Sequence, residues 1–429
     1  MKRFGPWVLM VSVLVWGLNF APALAAHCED GELPTGALYR ICLPDSWNGR
    51  LLVYAPGYVS PLKDLAIPED QLVLPDGTSI PELVTDLGYA FAVTSFRDNG
   101  LVVLEGLADL EALVEKFKAG YRNPSRIYLV GVSQGGLMAT LAAEGRASGF
   151  DGALSCCAAI GDFPRQINYW GDVRVIFDYF FPGVLPGSPV DIPGELQEKW
   201  YGSGGYLEQV TNALISNSDA TRQLLAVTRV PPGPNPESRL RAVTDNLWYN
   251  VFATNDAIDK LKGQPYDNKK RWYFGSDNDL LLNRMVQRFR ADPTALEEMK
   301  KYQTSGGLQS TLVTLHTTQD HVVPYWHELL YGNKVLARGV ARHYLHVPVF
   351  RWGHCNFKAA EVLAAFALLT LKVEGLPLGG VQAALPDPEA QETFENLLKQ
   401  HRLRYRPSLP GPATPPPPAR SPWERANKP

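Results

Sequence analysis

A serine hydroxyl is a weak nucleophile at neutral pH, so a protein that uses one must also supply a base and a group that orients the base. The segment YLVGVSQGGLMATLAAE, residues 128–144, carries Ser133 within Gly131-Val132-Ser133-Gln134-Gly135, between an apolar run and a helical pattern. A serine flanked this way at a strand-to-helix junction sits on a sharp turn that holds Oγ out at the top of a sheet, and the glycines let crowded backbones pass. A pattern this loose also recurs by chance in soluble chains, so the rest of the sequence must decide.

Two later segments supply the partners. TLVTLHTTQDHVVP ends a predicted strand and reaches Asp320, and HVPVFRWGHCNFKAAE ends the next and reaches His354 before a helical pattern. Serine, acid and histidine in that chain order suit acyl transfer: Ser133 attacks, neutral His354 takes its proton, and Asp320 orients the imidazole. Asp277 and Asp279 are the competing acids. Among the other histidines, His343 and His346 read as packed residues of a strand, and His316 lies on the strand before Asp320. His321 and His327 flank the acid, and His27 and His401 lie near the termini. The developing oxyanion needs donors, for which the backbone N–H groups of Gln134 and of Tyr58, in LLVYAPGYVSP, are the candidates; APGY also reads as a plain turn.

These residues need a scaffold. Near-continuous apolar runs near residues 50, 89, 126, 152, 310 and 343 read as buried strands of a sheet covered on both faces. Helical patterns lie between them, as in GLADLEALVEKFKAGY and FKAAEVLAAFALLTLKVEG. Alternating strands and helices predict an α/β architecture with a mostly parallel sheet. From GALSCCAAI to STLVTLHTT the rhythm breaks for far longer than a crossover needs. Residues 163–305 are therefore expected to form a largely helical cap, inserted between core segments 26–162 and 306–378. Within it, Tyr169, Trp170, Phe177, Tyr179, Phe180 and Phe181 suit either an apolar substrate group or the cap's own core.

The 429-residue chain is 45% hydrophobic and 20% charged, with a net charge of -3. That is ordinary globular composition, with no basic stripe that would suit nucleic acid. MKRFGPWVLMVSVLVWGLNFAPALAA has a basic start, an apolar stretch and Ala23-Leu24-Ala25 as a cleavage signal. Residues 1–25 are thus expected to be a secretory signal peptide, with a membrane anchor as the alternative. Export permits disulfides. Cys28 and Cys42 bracket one short segment and are expected to pair. Cys355 is expected to bridge to Cys156 or Cys157, whose side chains point to opposite faces if both lie on a strand. Residues 379–429 read as an extension with a proline-rich, disordered tail.

From about residue 37 to 375 the chain resembles the α/β-hydrolase superfamily, through GVSQGG, YAPGY, TTQDHVVP and GHCNF. SFRDNG before the helix preceding Ser133 resembles a set of secreted bacterial hydrolases. Pro56 departs from the histidine usual before the oxyanion donor, which puts Tyr58 in doubt. The resemblance implies an α/β-hydrolase fold and cleavage of an ester or amide through an acyl-serine intermediate. No cofactor is implied: the sequence holds no P-loop, no dinucleotide fingerprint and no H-E-x-x-H. Small-molecule or polymeric esters are the expected substrates. An aminopeptidase is the alternative, and would need carboxylates for the substrate ammonium; Asp162, Asp172 and Asp178 are the candidates. A non-catalytic binding protein on the same scaffold is the third reading.

Overall fold

The computed structural model describes residues 26–375, Leu385 and 388–404, with backbone alone from residue 400 onward. The expected signal peptide, the proline-rich tail and the His401 side chain lie outside the described residues.

The apolar runs form one eight-stranded sheet. In chain order its first half comprises β1 (His27–Glu32), β2 (Leu38–Leu43), β3 (Arg50–Ala55), α1 (Ile80–Asp86), β4 (Ala90–Thr94), α2 (Val103–Gly120), β5 (Arg126–Val132), α3 (Gln134–Ala143) and β6 (Gly152–Cys156). The segment between β6 and the next strand is helical, with α4 (Phe163–Phe180), α5 (Gly194–Glu198), α6 (Tyr206–Ser216), α7 (Ser218–Thr228), α8 (Pro236–Lys260), α9 (Asp279–Met285) and α10 (Pro293–Met299). The sheet then resumes with β7 (Thr311–Gln319), α11 (Trp326–Ala337), β8 (Tyr344–Trp352), α12 (Ala359–Glu374) and α13 (Pro388–Arg404). Strand order is β1-β2-β4-β3-β5-β6-β7-β8. β1–β2 and β2–β4 pair antiparallel, and all later neighbours pair parallel.

Strands β3 to β8 coincide with the six apolar runs. β1 and β2 were not expected: HCEDGE has no apolar run, and these strands sit on an antiparallel edge that needs cover on one side only. Cys28 and Cys42 face each other in the β1–β2 register and are disulfide-bonded. α13 lies in the expected extension, for which no element was read, and its Ala390, Phe394 and Leu397 bury themselves in the core beside α12.

Alternation along the strands sorts side chains onto two faces. Leu51, Val53 and Leu129 pack with α2 and α3, whereas Leu52, Tyr54, Tyr128 and Val130 face α1 and α12. The helices between β6 and β7 bury a separate apolar core around Trp200, Leu224 and Leu247. They are tied back to the sheet domain. Leu101 N–H donates to Asp256, Lys260 pairs with Asp98 and Asp256, and Asn246 and Tyr169 donate to the carbonyl of His321.

Candidate active site

Ser133 joins β5 to α3 with φ 52° and ψ -115°, a conformation that a residue with a Cβ adopts only at a cost of order 1–3 kcal/mol. Its N–H donates to the Cys156 carbonyl at 2.8 Å, which fastens the turn to β6. A Cβ on Gly131 would strike the backbone of Gly135, and one on Gly135 would strike the carbonyls of Ala55 and Pro56. The flanking glycines are therefore a steric requirement of this turn.

The loops after β7 and β8 bring the acid and the histidine to the same end of the sheet. His354 Nε2 lies 3.0 Å from Ser133 Oγ, and His354 Nδ1 lies 2.7 Å from Asp320 Oδ2. Asp320 is fully buried, and its other oxygen accepts the N–H groups of Val322 and Val323 at 2.9 Å each. Burial opposes its charge, but His354 and His316 outweigh that penalty and hold its pKa well below the usual carboxylate range. A serine, a base and a buried anion in line can move a proton off Oγ and stabilise the resulting imidazolium.

Cys355 is disulfide-bonded to Cys157, and Cys156 is left as a buried free thiol. The structure corrects one detail: Cys157 lies just beyond β6 rather than on it, with φ 46°. Among the described residues, the one cluster of metal-ligating types is Cys157, His354 and Cys355. Both of its sulfurs are consumed by the disulfide and its imidazole faces Ser133.

The remaining histidines are engaged elsewhere. His346, on β8 as expected, meets Thr314 at 2.8 Å and the Tyr325 hydroxyl at 2.7 Å. His343 falls in a turn before β8 and accepts from Arg342. His321 pairs with Asp245 and stacks on Trp352. His327 accepts the Gly161 N–H at Nδ1, so its Nε2 carries the proton toward Gln166; burial and the nearby His316 push its pKa well down. His27 lies exposed on β1. Asp277 pairs with Arg222, and Asp279 accepts from Ser276 at the start of α9.

Behind Asp320 lies a group that sequence reasoning placed only as a strand residue. His316 is buried, with Nδ1 3.1 Å from Glu328 Oε1 and Nε2 3.5 Å from Asp320 Oδ2. Burial lowers its pKa, but these carboxylates more than reverse the effect and raise it to about 10. His316 is thus a cation at neutral pH between two buried anions.

Gly57 N–H is spent on Gln71 Oε1 at 2.6 Å. The following amide, of Tyr58, has no protein acceptor among the described residues, and neither has that of Gln134 in the first turn of α3. The Tyr58 ring packs on Trp248 and Tyr249 of α8. Tyr249, which no motif announced, is half-buried beside Ser133 and His354 and borders the cavities at both.

Three cavities meet at Tyr249: the first borders both Ser133 and His354, the second Ser133 and the third His354. One, of about 340 Å³, runs between the sheet, α1 and α12. A second, of about 60 Å³, is closed in by Phe163, Ile167 and Trp170. The third, of about 640 Å³, opens along Trp200, Trp248 and Asp245 of the helical segment. The expected aromatic cluster separates here. Phe177 and Phe181 fill the helical core, Tyr179 and Phe180 border a different cavity, and Trp170 alone of the six lines a cavity beside Ser133. Helical spacing explains the split, since residues four apart share a face.

No family model and no curated protein sequence matches the chain. Solved structures with similar coordinates include Candida antarctica lipase A, at TM-score 0.45 and 12% identity over 90% of this chain and 91% of that one. Feruloyl esterase B from Aspergillus oryzae gives 0.41 and 13% identity over 81% and 80%. Pyrococcus horikoshii acylaminoacyl peptidase gives 0.44 and 11% identity over 83% of this chain but only 44% of its own length, so this chain spans less than half of that peptidase. The strand order, the serine turn between β5 and α3, and the acid and histidine after β7 and β8 give this chain the α/β-hydrolase fold.

Proposed function

We propose that the protein is a serine hydrolase that cleaves carboxylic esters, with Ser133 as nucleophile, His354 as base and Asp320 as orienting acid. The observation that carries this reading is the hydrogen-bonded line Ser133 Oγ–His354 Nε2 and His354 Nδ1–Asp320 Oδ2, at 3.0 and 2.7 Å. Ser133 Oγ attacks the ester carbonyl while its proton passes to His354. The carbonyl electron pair moves to oxygen, where the Tyr58 and Gln134 amides receive the charge. Collapse breaks the bond to the alcohol, which leaves with the proton from His354. Water then attacks the acyl-serine by the reverse sequence.

Ester rather than aminopeptide cleavage is favoured by the placement of the acids. Asp162 caps α4, Asp172 pairs with Arg271, and Asp178 pairs with Arg174. None of the three borders the cavities at Ser133 and His354, and Asp245, which lines the third together with Glu237, is already paired with Arg241 and His321, so an incoming ammonium would have to compete for it. The helical segment acts as a cap: it supplies the open cleft that would take the leaving alcohol. Two disulfides support an exported protein, as the N-terminal pattern suggests.

The test is kcat/KM for matched unactivated esters and aminoacyl amides. Ester turnover that vanishes in Ser133→Ala is the expected result. Amide cleavage at a rate comparable to the best ester would overturn the ester reading.

A further inference from the structure

Given that reading, we infer that the acyl half of the substrate is a linear aliphatic chain, taken up by the cavity between the sheet, α1 and α12. The inference rests on Ser133 being the acylated residue.

The cavity opens at Ser133 and His354 and runs down the sheet face away from the helical segment. Its floor is Leu52, Val130 and Leu154, and its walls are Leu83 of α1 with Leu363 and Phe366 of α12. No Asp, Glu, Lys or Arg borders it. Gln71, its one side-chain amide, is already committed to Gly57 N–H and the Tyr58 carbonyl. Of its tyrosines, Tyr54 and Tyr58 spend their hydroxyls on the carbonyls of Gln71 and Phe252, which leaves Tyr89 at the far end and Tyr249 at the mouth, so a polar acyl group would lose its hydration with little in exchange. Protein interiors leave few voids larger than a water molecule, so an apolar space of about 340 Å³ within a core reads as room kept for an occupant.

Register gives the depth. Leu52 pairs with Tyr128, five residues before Ser133 along β5. At ~3.3 Å per residue, the cavity spans roughly 16 Å. An extended hydrocarbon advances ~1.3 Å per carbon, given C–C bonds of ~1.5 Å, so about twelve carbons reach the end. There the rings of Tyr89 and Phe366 meet edge to face at 5.5 Å, both packed on Tyr128, and close it. Behind them Arg50 pairs with Glu374, so a longer chain would run into an ion pair. A single aromatic ring would leave most of this length empty.

The experiment is a series of p-nitrophenyl esters from acetate to hexadecanoate, kept below their aggregation limits. Each methylene should raise kcat/KM about fourfold (~0.8 kcal/mol of burial) up to roughly ten to twelve carbons, after which the rise stops. Val130→Phe places a ring midway along the floor, and Leu83→Trp does the same from the opposite wall. Either should lower the dodecanoate-to-butyrate ratio of kcat/KM at least tenfold. A flat or falling series beyond butyrate, or an unchanged ratio in a folded variant, overturns the acyl assignment while leaving the hydrolase reading intact. The hydrolase reading fails separately if acetate and butyrate esters are not turned over at all. In that case calorimetry with dodecanoate on Ser133→Ala still decides the cavity: binding that Val130→Phe weakens supports an aliphatic site, and no binding rejects it.

Discussion

His316 Nε2 lies 3.5 Å from Asp320 Oδ2, and both side chains are wholly shut off from solvent. With Glu328 on its other nitrogen, His316 is the group shared by two carboxylates that stay charged in the core, Asp320 with His354 as its nearer partner and Glu328 with His346. Its folded pKa of about 10 exceeds the ordinary histidine value of ~6.5, so its contribution to stability is complete below about pH 6.5 and is lost as pH rises through about 10. Asp320 and Glu328 are shifted down despite burial, so their contributions hold above the usual carboxylate range and vanish as pH falls below it.

The first prediction follows from those signs. His316→Gln should destabilise the protein by about 3–5 kcal/mol near pH 6, since it removes the cation between two buried carboxylates. The difference from wild type, measured by denaturant melts at a series of pH values, should shrink toward pH 10. A difference that is constant across that window would mean His316 is neutral in the fold.

The Cys157–Cys355 bridge joins the residue after β6 to the residue after His354, and both hold positive φ. Replacing both cysteines by serine should cost about 2–5 kcal/mol of stability. It should also lower kcat by about tenfold or more, because misplacing a catalytic group by an ångström is costly. Removing the Cys28–Cys42 pair, on the distant edge strand, should lower stability without that loss of kcat. Equal effects of the two removals on kcat would show that the inner bridge does not position His354.

Most of the sheet was legible because its parallel strands are buried on both faces and leave unbroken apolar runs, as in RLLVYA and RIYLVGV. That Ser133, Asp320 and His354 come together was legible because their order along the chain follows the order of strands β5, β7 and β8. β1 was not, since HCEDGE carries neither period nor apolar run. The large apolar cavity was not legible either: Leu52, Leu83 and Leu363 each read as ordinary core, and only the packing shows the space between them. Tyr249 lies in a long amphipathic helix whose sequence gives no sign of which turn meets Ser133.

That packing separates two aromatic residues of α4. Trp170 stacks on Tyr249 at 4.7 Å and borders the small cavity beside Ser133, whereas Phe180 borders a cavity with Asn217 and Asp277. Trp170→Ala should change ester kcat/KM by about tenfold, in keeping with a loosened active-site wall. Phe180→Ala should leave it within about twofold, as surface-side changes usually do. Steady-state kinetics on one short ester suffices, and the reverse ranking would reject this placement.

Asp320→Asn keeps the shape of the acid but removes its charge and reverses the tautomer preference of His354. A loss in kcat of about 10⁴-fold is expected, with KM little changed. A loss of less than tenfold would show that another acid orients His354.

The central claim is that Ser133 is an activated nucleophile, and covalent labelling tests it without knowledge of the substrate. The protein is treated with a fluorophosphonate, digested and mapped by mass spectrometry, beside His354→Ala. A single adduct on Ser133, formed at least a hundredfold more slowly in the variant, is the predicted result. No adduct, or one on another residue, would contradict it.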